Sequence, residues 1–193
     1  MRFLRVEEGG FDPAGFYVFP CKHNNQDKCH GGLYLNLASA SNKAQLYRIL
    51  AHEYTHSLID EVTNGRSEIL PIWVNEGLAR WTEYEIVTDS SDVVRWQWRL
   101  VVDADSSGEL FPLSELESAV LWSRRSGDEV NLQYAEAYMA MRFLIEKYGS
   151  EKALELIIDF NTRGSLDLAI QLTTGLRYKE FEQEFVEWIS KPK

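Results

Sequence analysis

Two histidines four positions apart, His52 and His56, stand in the stretch AHEYTHSLID, with Glu53 directly after the first. On a helix this spacing brings both imidazoles to one face about one turn apart, where they can reach a single ion. Glu53 is rotated about 100° from His52, so its carboxylate falls beside such an ion rather than among its ligands. A water at an open metal position could give its proton to that carboxylate, which is the arrangement of metal-assisted hydrolysis. Two imidazoles seldom hold zinc tightly, and catalytic sites add a third protein ligand. Glu76, in WVNEGLAR, is the candidate. An early residue of a second helix can face a late residue of the first when the two pack antiparallel across a short connection.

The elements that must carry these residues follow from hydrophobic pattern. The first 40 residues read as strands and loops, with FLRVE, GFYVFP and GGLYLNL as short apolar or alternating runs between Gly, Pro, Asn and Asp. From Ser41 the pattern is helical. A first helix opens with Ser41 as cap and closes at Asn64-Gly65, with Leu46, Ile49, Leu50, Leu58 and Ile59 near helical period. IWVNEGLARWTEYEIV reads as a second helix, although Gly77 is a poor helix former in its early turns. DVVRWQWRLVV fits helix or strand, and SELESAVLWSRR a short helix. LQYAEAYMAMRFLIEKYG, SEKALELIIDFN, SLDLAIQLTTG and YKEFEQEFVEWIS each carry helical periodicity. The expected class is α+β: a small amino-terminal mixed sheet, then the helix pair of the site, then a mostly helical part. A single domain over 1–193 is expected, strand-rich in 1–40, with the site helices in 41–88 and helices in 89–193.

HEYTH followed by WVNEGLA resembles the gluzincin zinc metallopeptidases, and W-x-N-E-G-x-A is similar to the segment of the M1 aminopeptidase branch and of peptidase MA-like domains. The resemblance implies a zincin-like fold and one catalytic zinc ion held by His52, His56 and Glu76, with Glu53 as general base. It also implies that Asn75 holds the His56 ring in its ligating tautomer. Asp60, a further turn along the histidine face, matches a common pattern of the same group. YAEAYMAMRFLIEKYG resembles the helix from which this clan supplies a tyrosine hydroxyl to the transition state. Tyr134 is the matching position. The other reading makes Tyr134 part of a packed stripe with Tyr138, Met141, Ile145 and Tyr148, and then Tyr138, one turn on, takes its place.

The chain departs from the M1 pattern upstream of the histidines. Where G-x-M-E-N would offer a glutamate to a free amine, it has GGLYLNL, with no carboxylate. An endopeptidase is therefore expected. GGLYLNL also suits an edge strand along which an extended peptide could lie, or else an interior strand. The rival expectation is a zinc-bound domain that no longer cuts and acts as a protein-binding module. A metal-free helical interaction domain is the third.

The formal charge of −10, with no basic run longer than Arg124-Arg125, argues against nucleic acid or anionic membranes as partners, and the resemblance implies a peptide or protein substrate. No apolar run approaches the roughly 18 residues of a membrane span, and the amino terminus lacks the apolar segment of a secretory signal. A cytoplasmic chain and a trimmed secreted form both fit. CKHNNQDKCH gathers Cys21, His23, Cys29 and His30 without a C-x-x-C pair, which favours a disulfide or free thiols over a second metal. The six tryptophans, Trp73, Trp96 and Trp98 among them, suit a core or a cleft wall.

Overall fold

The computed structural model describes residues 15–18, 32–35, 40–86 and 91–191. The cluster of Cys21, His23, Cys29 and His30 and the run FLRVE lie outside them. Strands β1 (Gly15–Val18) and β2 (Gly32–Leu35) pair antiparallel, Gly15 opposite Leu35 and Val18 opposite Gly32, and lie against the first helix. This corrects the expected α+β class. The described chain is mostly helical, and among the described residues there is no mixed sheet, because the two four-residue strands pair with each other alone. Short alternating runs such as GFYV and GLYL indicate extended backbone but say nothing of how many partners each strand finds. DVVRWQWRLVV, open to either reading, is helical.

Helix α1 (Lys43–Val62) carries the histidine pair. Its cap is Asn42 rather than Ser41: the Asn42 side chain accepts from the Gln45 N–H at 2.9 Å, leaving Ser41 to bond the Gln45 side chain. The helix ends where Asn64 and Gly65 both take positive φ, 54° and 68°. Beyond this turn, Pro71 leads into α2 (Ile72–Trp81), which runs on through a π-helical turn over Thr82–Ile86.

α1 is amphipathic in reverse. Its inward face holds Glu53, His56 and Asp60 with Ile49 and Ile59, while Tyr47, Leu50, Tyr54, Leu58 and Val62 form an exposed apolar line on the other side. Leu50 and Leu58, which fit the helical period, thus face outward. A helix that serves a buried polar site has its polar groups where a surface helix would have its apolar ones.

The remaining helices are α3 (Ser91–Ser107), the single turn α4 (Ala119–Trp122), α5 (Asp128–Tyr148), α6 (Glu151–Arg163), α7 (Leu166–Thr174) and α8 (Tyr178–Ile189). α5 is the central one, buried nearly all round through Leu132, Ala135, Ala137, Tyr138, Met139, Ala140, Met141, Phe143 and Leu144. α2 lies directly on it. A Cβ on Gly77 would stand 2.4 Å from the Ala137 carbonyl oxygen, so only glycine allows this approach. Trp73 of α2 stacks on Phe181 of α8, and Phe143, Phe185 and Trp188 continue the aromatic core, with Trp98 of α3 edge-on to Trp188. Trp73 is thus a core residue, whereas Trp96 is exposed. No helix among the described residues is long and apolar enough to cross a membrane.

Candidate functional site

α1 and α2 bring His52, His56 and Glu76 together. One donor atom from each lies within 4.8 Å of the others. His52 Nε2 is 3.2 Å from His56 Nε2 and 3.4 Å from a Glu76 oxygen, and His56 Nε2 is 3.7 Å from the other Glu76 oxygen. Their outer nitrogens are engaged elsewhere. His56 Nδ1 donates to Asn75 Oδ1 at 2.9 Å, and His52 Nδ1 donates to Glu83 Oε2 at 3.1 Å. With both Nδ1 atoms acting as donors, each neutral ring turns a lone pair inward through Nε2. Three acceptors then converge on one point, and that donor set fits a metal ion.

Electrostatics give the same picture. Burial alone would push the His52 pKa down, but hydrogen bonds to Glu76 and Glu83 carry it up to about 9. Against its own burial, Glu76 is held at about 2 by His56 and His52. His56, buried and bonded to an amide rather than a carboxylate, is pushed down. Protein side chains alone therefore draw a proton into the space between the donors, a cation where a metal cation would sit. Glu53 lies buried beside this group, and burial pushes its carboxyl up.

Glu83 and Arg80 were not singled out in the sequence. The π-helical turn continues α2 and aims Glu83 at His52, while Arg80 Nη1 reaches Tyr84 Oη at 2.5 Å and Glu83 at 3.4 Å. The available signal was position: Glu83 falls about two helical turns after Glu76, on the same face.

The two candidate tyrosines part company. Tyr138 is fully buried and its hydroxyl donates to Glu85 at 2.6 Å. Tyr134 is only half-buried, with the Arg80 guanidinium 4.7 Å over its ring and Trp122 edge-on at 5.0 Å. Burial pushes the Tyr134 phenol up, the Glu76 carboxylate adds to that, and Arg80 with a Trp122 hydrogen bond pulls it back. Tyr134 is thus the tyrosine in electrostatic reach of the donor group. Asp60 is engaged farther along α1, where its carboxylate accepts from the Ser67 hydroxyl at 2.9 Å and holds the connection between α1 and α2.

The described chain is mostly helical and carries a half-buried His52-His56-Glu76 group that could hold a metal ion. The chain belongs to the Peptidase MA superfamily, whose family model matches residues 38–191. The uncharacterized protein YhcO of Bacillus subtilis (strain 168) is similar, 22% identical over 149 residues that cover 75% of this chain and 41% of YhcO. The chain thus spans well under half the length of that relative. No solved structure matches it.

Proposed function

We propose that this protein is a zinc-dependent peptidase that cuts internal peptide bonds. The convergence of three acceptor atoms, with both histidine Nδ1 atoms already committed to Glu83 and Asn75, is the observation that carries the reading. His52, His56 and Glu76 would hold the ion, which when bound supplies Lewis acidity to a scissile carbonyl and makes water more acidic. Glu83 and Asn75 orient the two rings so that each Nε2 faces the position of the ion, which would take the place of the proton that His52 otherwise holds there. Glu53 takes the proton of the attacking water on its carboxylate and passes it to the departing amine nitrogen. Burial raises its pKa, which makes the carboxylate a better acceptor for that proton. Tyr134 donates its hydroxyl proton in a hydrogen bond to the oxygen on which negative charge develops.

The test is zinc content together with cleavage of an unbiased peptide library, wild type against Glu53→Gln. The expected result is one zinc ion per chain in both proteins, with hydrolysis lost from the variant by about 100-fold or more. Zinc bound without hydrolysis by the wild type would mark a binding module instead.

A further inference from the structure

A phenol helps a transition state only if its hydroxyl already points the right way, since a ring that must first be ordered gives back much of what it contributes. α5 alone supplies little restraint on Tyr134. Its flanking residues Gln133 and Ala135 are buried, while the tyrosine itself is only half-buried. Tyr138, one turn on, is fixed by its own bond to Glu85. Tyr134 is instead met from outside its helix. The Trp122 ring stands at 87° to it, centroids 5.0 Å apart, and the Arg80 guanidinium covers it at 4.7 Å.

Trp122 belongs to α4, a single turn that could not hold a position unaided. Arg125, just beyond it, pins the segment. Its side chain is 7% exposed, its guanidinium lies 3.8 Å over the Phe111 ring, and its two terminal nitrogens reach Gln133 and Glu115, each at 3.3 Å. Gln133 is the residue directly before Tyr134. The segment is therefore tied to α5 at two successive positions, by a charge-assisted bond at Gln133 and by ring packing at Tyr134. On the other side, Arg80 is steadied by Glu83 and Tyr84.

We propose that Trp122 is a positioning residue for Tyr134: its perpendicular indole, working against the Arg80 guanidinium, fixes the phenol ring and the direction of its hydroxyl. An indole N–H donated to the phenol oxygen leaves the hydroxyl proton free for another acceptor and makes it the better donor. This role rests on the peptidase reading and on Tyr134 serving there.

The experiment uses the zinc-loaded full chain as wild type, Trp122→Phe, Tyr134→Phe and the double variant. Trp122→Phe keeps an aromatic ring but no N–H. It is expected to lower kcat about tenfold with KM and zinc content unchanged, and to cost nothing further once Tyr134→Phe is present. Independent losses that multiply in the double variant would overturn the inference. A second readout needs no activity: the indole 1H–15N resonance of Trp122, identified by its absence from Trp122→Phe, should shift clearly in Tyr134→Phe. An unmoved resonance overturns the contact whatever the kinetics. A wild type that cleaves nothing in the library while this resonance shifts would defeat the peptidase reading and leave the clamp standing.

Discussion

At His52 the site is held from behind by a carboxylate, and at His56 by an amide. The difference matters for affinity, because a carboxylate behind an imidazole raises the basicity of its far nitrogen more than an amide does. Glu83→Gln keeps an acceptor in place but removes the charge. It is expected to weaken zinc binding by roughly 10-fold to 100-fold, measured by competition with a chromophoric chelator, and unchanged affinity would remove Glu83 from the site. The residues brought together here, His52, Glu53, His56 and Glu76, were visible in the sequence because their spacing has a geometric meaning on helices. Glu83 and Arg80 were not, because charged residues on a helix mostly belong to its solvated face. Tyr134 and Tyr138 share a helical stripe, and only the partner of each hydroxyl separates them.

Between elements, the closest approach is that of α2 to α5, and Gly77 permits it. The sequence presents Gly77 as a weakness in a helix; the fold makes it the point where Glu76 and Tyr134 are brought to a common site. Gly77→Ala would put a methyl group 2.4 Å from the Ala137 carbonyl oxygen, with Met141 Cβ at 3.1 Å on the same side. The helices must part. The expected cost is about 1–3 kcal/mol in urea unfolding, accompanied by a fall in activity greater than the lost folded fraction explains. A variant as stable and active as wild type would show that the contact relaxes freely. Helical periodicity located α1, α2 and α5 to α8 well, but it could not orient α1, whose polar residues face inward. It also overread the strand-rich start, since extended runs of four residues do not specify a mixed sheet.

For the whole molecule, Glu136 is a buried carboxyl group that lies outside the site. It is fully buried on α5, accepts from the Phe111 N–H at 3.1 Å through one oxygen, and has no partner for the other among the described residues. Burial pushes its pKa up to about 8, well above that of an unfolded chain. The folded state therefore holds a proton that the unfolded state has already lost, and stability from this group is complete below about pH 4.5 and drains away as the pH rises to 8. Glu136→Gln keeps the bond to Phe111 without the charge. Its melting temperature should exceed that of wild type by a margin that widens from pH 5 to pH 8, and a margin independent of pH would show that Glu136 stays ionised throughout. Nothing in the sequence distinguished Glu136 from the other acidic residues of a chain with 30 of them, because burial of a single carboxylate depends on contacts made far along the chain. Distance along the chain also sets the order of assembly. α1 and α2 meet across the short connection 63–71, whereas Gly77 meets Ala137 only after about 60 residues have been closed into a loop, a slower and costlier event. During folding or synthesis the His-His-Glu group can gather before Tyr134 arrives. On the proposed peptidase reading, a nascent chain could thus take up its ion while still unable to cut, and the capacity to cut would follow only when the fold that controls it is complete.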